Sequence, residues 1–191
     1  MGPLAAPGSY TVELSVGGQK LRQPLTLKMD PRLHASNEDL QSLLDLEQKI
    51  TRGMAVSFDA FHQVASLRAA LAERKKDAGM EEAAAALEKK IDAVEEGTRT
   101  APGVGPVNRD LARLANSVQS ADVRPGETAI AAVEEKCKSL DAVLTLWGNL
   151  NQLEVAAFNT KLQAQKLAPL PTVEVLRKQS GAGASACQPQ P

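Results

Sequence analysis

The sequence predicts a mainly α fold, an antiparallel four-helix bundle preceded by a β-hairpin. Near the start, apolar and polar residues alternate with the period of a strand, whereas from Leu40 onward apolar residues recur at steps of three and four. The two patterns meet at residues 23–32. Asp30-Pro31-Arg32 ends the second strand there, because proline has no backbone N–H to donate to a neighbouring strand. The composition, with 43% hydrophobic but 3% aromatic residues, is typical of a helical bundle.

The hairpin is predicted from two alternating segments around a glycine pair. Gly17-Gly18 supplies the positive φ angles that a type I′ or II′ turn requires. The second strand is predicted over residues 21–29. The apolar residues of the two strands are Tyr10, Val12, Leu14 and Val16 in the first and Leu25, Leu27 and Met29 in the second.

The predicted hairpin lacks a third strand. An isolated two-stranded hairpin is at best marginally stable in water, so this one either packs on the helices or has lost its sheet. We favour the second explanation, in which these are the last two strands of a β-sandwich whose earlier strands lie upstream of Met1 and the chain is a fragment. The domain boundaries are then 1–32 for the hairpin, 36–171 for the helical bundle and 172–191 for a tail of disordered composition.

Four helices are predicted after the hairpin. Ser36 and Asp39 form an approximate capping arrangement at the start of the first. The predicted ranges are 36–76, 80–96, about 107–120 after a loop over 97–106, and about 127–166. The predicted inward residues are Leu40, Leu43, Leu44, Ile50, Met54, Phe58, Phe61, Val64, Ala65, Leu67 and Leu71 in the first helix, Ala83, Ala84, Leu87, Ile91 and Val94 in the second, Val107, Leu111, Leu114 and Val118 in the third, and Ile130, Val133, Cys137, Leu140, Val143, Leu144, Trp147, Leu150, Phe158 and Leu162 in the fourth.

Charge and hydropathy argue against two classes of partner. The 22 basic and 23 acidic residues give a net charge of -1, so the chain has no excess of basic residues of the kind that binds nucleic acid. No apolar run approaches the roughly 20 residues that span a bilayer, and the first residues lack the pattern of a signal peptide. We therefore predict no nucleic-acid binding and no membrane insertion.

The two cysteines, Cys137 and Cys187, are far apart and have no Cys-x-x-Cys spacing. Cys137 falls on a core-like helical position, and a free cysteine packs as a small hydrophobic residue. A buried thiol is therefore the favoured interpretation of Cys137. A disulfide between the two cysteines is the alternative.

No catalytic, cofactor-binding or metal-binding residue is predicted, and no cofactor. His34 and His62 are the only imidazoles, and neither belongs to a recognised ligand spacing. Gly103-Val104-Gly105 lacks the third glycine and the preceding strand of a nucleotide-binding loop. Three acidic pairs lie among lysines and are interpreted as solvated helix faces rather than glycosidase carboxylates. They are Glu81-Glu82, Glu95-Glu96 and Glu134-Glu135.

The chain also resembles a known family. Residues 6–19 and 23–32 resemble the closing strands of the immunoglobulin- or fibronectin-like domain in bacterial sortilin-like, BNR-repeat β-propeller proteins, often labelled glycosyl hydrolases or photosystem II stability/assembly factor-like proteins. The helical remainder is similar to their C-terminal region, and the resemblance covers about residues 6–171. Its helical motifs are Asp39-Leu40-Gln41, residues 120–125, Trp147, Phe158-Asn159 and residues 167–170.

The resemblance implies a non-catalytic C-terminal accessory module of an exported, glycosyl-hydrolase-like propeller protein. The hairpin would be the remnant of an immunoglobulin/fibronectin-like sandwich, and the partners would be the upstream propeller and sandwich domains of the same parent. The location would be periplasmic or secreted. Because the propeller with its Ser-x-Asp-x-Gly-x-Thr-Trp boxes is absent, no functional residue is carried over. The alternative is a freestanding helical module for protein interaction or self-association.

Overall fold

A computed structural model of the chain describes residues 2–172 and 185–188 and begins with the predicted hairpin. Strand β1 (Gly8–Val16) pairs antiparallel with β2 (Gln19–Leu27). Gly17 and Gly18 both have positive φ angles, 56° and 81°, as a type I′ turn requires. The hairpin prediction is confirmed, although the second strand begins and ends two residues earlier than expected.

The rest of the described chain is mainly helical, which confirms the predicted class. Helix α1 (Asn37–Arg74) packs against α2 (Glu81–Glu95), α3 (Val104–Val118) and α4 (Glu127–Asn149). A π-helical stretch (Leu150–Val155) continues α4 directly into α5 (Ala156–Ala164). These helices, residues 37–164, are called the helical body below.

One apolar core runs through the helical body, and its largest fully buried members come from all of the long helices. They are Trp147, Ile50, Leu67, Met80, Ile91, Leu111, Leu140, Leu144, Leu162, Val64, Val104 and Val107. The prediction that Phe58 points inward is wrong, because its side chain is 55% exposed. Val56 and Ala60 lie on the buried face of α1 instead. Phe58 is two positions from each of them, and helix residues two positions apart do not lie on the same face.

The third helix begins earlier than predicted. The sequence places residues 97–106 in a loop, whereas α3 starts at Val104 and includes Pro106 in its first turn. Proline is tolerated there because the first amides of a helix have no intrahelical acceptor. The fully buried Val104 holds this first turn on the core.

The capping box at the start of α1 is confirmed and should be sensitive to pH. Ser36 Oγ accepts the Asp39 N–H at 3.1 Å, and Asp39 Oδ2 accepts the Ser36 N–H at 3.1 Å. The hydrogen bonds from Ser36, helped by the charge of Arg124, hold the pKa of Asp39 below its usual range. Because the folded pKa is the lower one, this stabilisation is complete above about pH 4 and is lost as the pH falls through the folded pKa.

We expect amide-exchange protection at residues 38–40 to decrease on acidification in the wild type. The variant Asp39→Asn should have lower protection at neutral pH and a flatter pH profile, since its side chain carries no charge to lose. Asp59→Asn, on an exposed position of α1, is the matched control and should follow the wild type. Identical profiles for Asp39→Asn and the wild type would show that the carboxylate does not stabilise the cap.

Candidate interaction surface

The hairpin carries an apolar face that the described residues leave uncovered. Opposite residues of an antiparallel pair lie on the same face, and the register places Tyr10 opposite Leu25 and Leu14 opposite Leu21. All nine residues of β1 are exposed. The members of this apolar face, with their exposed fractions, are Tyr10 (37%), Val12 (51%), Leu14 (57%), Val16 (65%), Leu21 (66%) and Leu25 (44%).

The size of the apolar face distinguishes it from scattered surface residues. At roughly 100 Å² of apolar area per side chain, six half-exposed side chains leave about 300 Å² of apolar surface on one face of the hairpin. The register also places Gln19 and Gln23 on this face. This area is at the lower end of the range for the largest apolar patch of a typical monomeric protein, about 300–600 Å², and such patches are often functional. The apolar face is therefore the strongest candidate for an interaction surface.

The opposite, polar face of the hairpin holds the strand register. Glu13 Oε1 lies 2.9 Å from Lys20 Nζ, and Glu13 Oε2 accepts the Arg22 Nε–H at 2.7 Å. Lys20, and then Arg22, lower the pKa of the Glu13 carboxyl. A one-residue slip would move every apolar side chain to this charged face. The cross-strand charges thus favour the register in which the apolar side chains share one face.

The segment before β1 connects the hairpin to the helical body. The Leu4 N–H donates to Glu47 Oε2 at 2.9 Å, Gln119 Nε2 donates to the Gly2 carbonyl at 3.3 Å, and the Tyr10 hydroxyl donates to the Ala6 carbonyl at 2.6 Å. Glu47 is 2% exposed and faces a cavity of about 360 Å³ between this segment and the first turns of α1. Glu47 lies among the apolar positions of α1 that face the core, and no sequence pattern distinguishes it from a solvent-exposed glutamate.

Cys137 and Cys187 form a disulfide, so the predicted buried thiol is wrong. The Ala186 N–H donates to Asp141 Oδ1 at 2.7 Å and holds the C-terminal segment beside α4. Gly53 leaves room for the bond, since a Cβ at that position would lie 2.7 Å from Cys187 Sγ. Helix α1 therefore needs glycine at this position.

The predicted disordered tail, 172–191, lies mostly outside the described residues. Residues 185–188 are described, and within them Ala186 and Cys187 are buried. The disulfide and the hydrogen bond to Asp141 order this short stretch, which composition alone assigned to disorder.

The two histidines lie apart. His34 is in the connection between β2 and α1, and His62 on α1 packs its ring edge-on against Phe58 with ring centroids 4.3 Å apart. Among residues 2–172 and 185–188, no three His, Cys, Asp or Glu side chains are grouped so that they could hold a metal ion.

The acidic pairs are distributed over α2 and α4 and form several separate ion pairs. Arg68 binds Glu95 and also Asp92, the latter at 2.7 Å, and Arg109 lies 3.9 Å from Glu96. Glu135 lies 3.6 Å from Lys136. In this arrangement the acidic side chains bridge helices or face solvent, and they do not face one another across a cleft.

The glycine-containing loop before α3 has a packing explanation. Gly97 has a φ of 93° and pairs with Pro102 in an isolated bridge. A Cβ at Gly103 would overlap the Glu95 carbonyl. Close backbone approach, rather than contact with a phosphate, accounts for these glycines.

A second, smaller apolar patch lies where α4 becomes π-helical. Leu146 and Leu153 are 50% and 66% exposed and border a groove of about 220 Å³ with Ala93 of α2. The buried Asn151 donates from Nδ2 to the Trp147 carbonyl at 3.0 Å within this stretch. Regular helical periodicity cannot predict a π-helical interruption, so this patch has no signal in the sequence.

None of the helices in the described part of the chain combines the length and the hydropathy needed to cross a bilayer. Comparisons with protein-family models, curated proteins and solved structures found no match. The resemblance to propeller proteins therefore stays a prediction.

Proposed function

We propose that this chain is a non-catalytic accessory module in which the hairpin docks on a β-sheet partner. The helical body would be an antiparallel four-helix bundle, and the hairpin would be the remnant of an immunoglobulin/fibronectin-like sandwich. The partner would be the upstream sandwich and propeller domains of an exported, glycosyl-hydrolase-like parent. The observation that carries the proposal is the uncovered apolar face of the hairpin.

The energetics of the apolar face support docking. Two packed sheets bury their inner faces against each other about 10 Å apart. Burying the roughly 300 Å² that the apolar face exposes would contribute about 7 kcal/mol before the costs of association. A two-stranded hairpin gains from such packing because it is marginally stable alone.

The disulfide supports an exported parent. Structural disulfides persist in oxidising compartments such as the periplasm and the extracellular space, and they are rare in the cytosol. In this chain both cysteines of the sequence are joined to each other. This pairing fits the proposed periplasmic or secreted location.

The test compares the two faces of the hairpin. The DNA upstream of Met1 is read for an in-frame propeller and sandwich, and the encoded upstream polypeptide is titrated with the chain by calorimetry. We expect the double variant Leu14→Thr/Leu21→Thr to bind at least tenfold more weakly, because threonine retains strand propensity but removes apolar surface. The melting temperature of the helical body should not change.

The matched control is Leu153→Thr, which removes an equally exposed leucine from the helical body and should bind as the wild type does. Absence of an in-frame propeller would contradict the proposed parent. Equal binding by the double variant and the wild type would contradict docking through the apolar face. Turnover of glycoside substrates by this chain alone would overturn the non-catalytic assignment.

A second candidate function is a freestanding interaction or oligomerisation module. The apolar patch of Leu146 and Leu153 beside Ala93 favours it, since this patch belongs to the helical body and not to the hairpin. A stable dimer in sedimentation experiments that Leu153→Lys abolishes and Leu14→Thr/Leu21→Thr retains would favour this second function.

A further inference from the structure

The two outer edges of the hairpin differ in their backbone hydrogen-bonding groups. Val16 and Gln19 pair across the two-residue turn of Gly17 and Gly18, which both have positive φ angles. In such a turn the N–H of the fourth residue donates to the carbonyl of the first, so we assign Val16 and Gln19 as a hydrogen-bonded pair. Hydrogen-bonded and non-hydrogen-bonded pairs alternate along an antiparallel ladder, and the groups of the non-hydrogen-bonded pairs point outward. The outward-pointing residues are Ser9, Thr11, Glu13 and Ser15 on β1 and Lys20, Arg22, Pro24 and Thr26 on β2.

The outer edge of β2 is unsuited to pairing. Pro24 has no N–H, so the row of outward donors is interrupted in the middle of the strand. Lys20 and Arg22 place two positive charges on the same strand. Proline and lysine are common on the edge strands of natural sheets, where they prevent pairing with a further strand.

The outer edge of β1 has none of these features. Each of its outward residues retains a backbone donor, and Glu13 is the single charged residue of the strand. The other residues of its central part, Tyr10, Thr11 and Val12, are of the types enriched in strands. β1 therefore has the character of an interior strand and β2 that of an edge strand.

We propose that a further strand pairs with the outer edge of β1, and that β2 is the outermost strand of the completed sheet. This inference rests on the proposed function and specifies where the partner sheet joins the hairpin. The partner strand would be extended and about nine residues long, the length of β1. Its alternate apolar residues would continue the apolar face.

The charges around Glu13 specify one position of the partner strand. Both cations that bind Glu13, Lys20 and Arg22, belong to β2. Ser15 Oγ of β1 also donates to Glu13 Oε1 at 3.5 Å, so a residue of the partner strand would be a further neighbour of a carboxylate that already has three partners. A lysine opposite Glu13 would stabilise the pair, whereas an acidic residue there would destabilise it.

The occupant is a strand tethered within the same polypeptide rather than a second copy of the chain. Pairing along the nine residues of one strand edge buries less than the roughly 800 Å² per side that a stable complex of free partners buries. Covalent connection compensates for a small interface, because it raises the effective concentration of the partner strand to the millimolar range.

The test uses a nine-residue probe peptide of alternating valine and threonine, with one lysine placed to lie opposite Glu13. Binding to the full chain is followed by NMR at about millimolar concentration, where a weak complex is populated. Thr11→Pro and Thr26→Pro are a matched pair, because each removes one outward N–H by the same substitution, on β1 and β2 respectively. Hairpin integrity in each variant is verified from the cross-strand amide signals.

We expect the probe to shift and protect the amides of Ser9, Thr11, Glu13 and Ser15. Thr11→Pro should weaken binding at least fivefold, as expected for the loss of one backbone hydrogen bond, whereas Thr26→Pro should change it less than twofold. Pro24→Thr should create a second site on β2. A probe with glutamate in place of lysine should bind more weakly than the original probe.

Other outcomes overturn the inference and are distinguishable from failure of the proposed function. If Thr26→Pro weakens binding and Thr11→Pro does not, the edge assignment is wrong while docking through the apolar face can still stand. If neither edge binds the probe but Leu14→Thr/Leu21→Thr still impairs partner binding, the partner packs on the apolar face without adding a strand. A micromolar dimer that Thr11→Pro abolishes would show that the occupant is a second copy.

Discussion

Replacing Trp147 with alanine is expected to lower the free energy of unfolding by about 3–5 kcal/mol, the range for a large aromatic side chain truncated in a core. Trp147 is fully buried in the helical body, and its Nε1–H donates to Gln63 Oε1 at 3.0 Å. The variant loses apolar contacts, leaves a cavity and removes the donor that Gln63 uses. Denaturant unfolding followed by far-UV circular dichroism measures the loss, since Trp147 is the single tryptophan and its fluorescence disappears in the variant.

Two further variants separate the sources of this effect. Trp147→Phe keeps most of the apolar volume but removes the hydrogen bond to Gln63, so it should cost less than Trp147→Ala. Leu153→Ala, at a side chain that is 66% exposed, should change stability by no more than about 0.5 kcal/mol. An unfolding midpoint for Trp147→Ala within error of the wild type would show that Trp147 does not stabilise the core.

Reduction of the disulfide between Cys137 and Cys187 is expected to lower stability by up to about 4 kcal/mol. The two cysteines are 50 residues apart, and a bond across a loop of that length strongly restricts the unfolded chain. Stability measured with and without a thiol-free reductant gives the difference. Thiol titration of the denatured, unreduced protein should detect no free thiol.

The variant Cys187→Ala is the control for the effect of the reductant. It should have the stability of the reduced wild type, and adding reductant should not lower its stability further. Cys137 then remains as a nearly buried thiol, the state that the sequence alone favoured. Free thiols in the unreduced wild type, or equal stability with and without reductant, would contradict the disulfide.

Local patterns predicted the hairpin and the approximate positions of the helices. The strand alternation and the Gly17-Gly18 turn predicted the hairpin, because side-chain period and positive φ are properties of the nearest neighbours along the chain. The capping box was predicted for the same reason, since Ser36 and Asp39 bond to each other within one turn. The positions facing the core in α2 and α4 also followed from their three- and four-residue spacing.

Predictions from the sequence failed where the outcome depends on contacts between distant residues. Phe58 fits the apolar spacing of α1, but the neighbouring helices cover Val56 and Ala60 instead. The start of α3 was placed too late because the packing of Val104 on the core outweighs the loop-forming glycines and Pro106 around it. Helical periodicity also gave no sign of the π-helical stretch that exposes Leu153.

By itself, the sequence determined the mainly helical class, the hairpin and the apolar character of one hairpin face, because these follow from periodicity along the chain. Only the tertiary structure decided that residues 2–172 and 185–188 leave this face uncovered, that Cys137 meets Cys187 beside Gly53, and that Glu47 is buried against the segment before β1. The physical reason is that exposure and disulfide pairing are set by residues that meet across long sequence separations. Periodicity within one segment carries no information about which distant segment will pack on it.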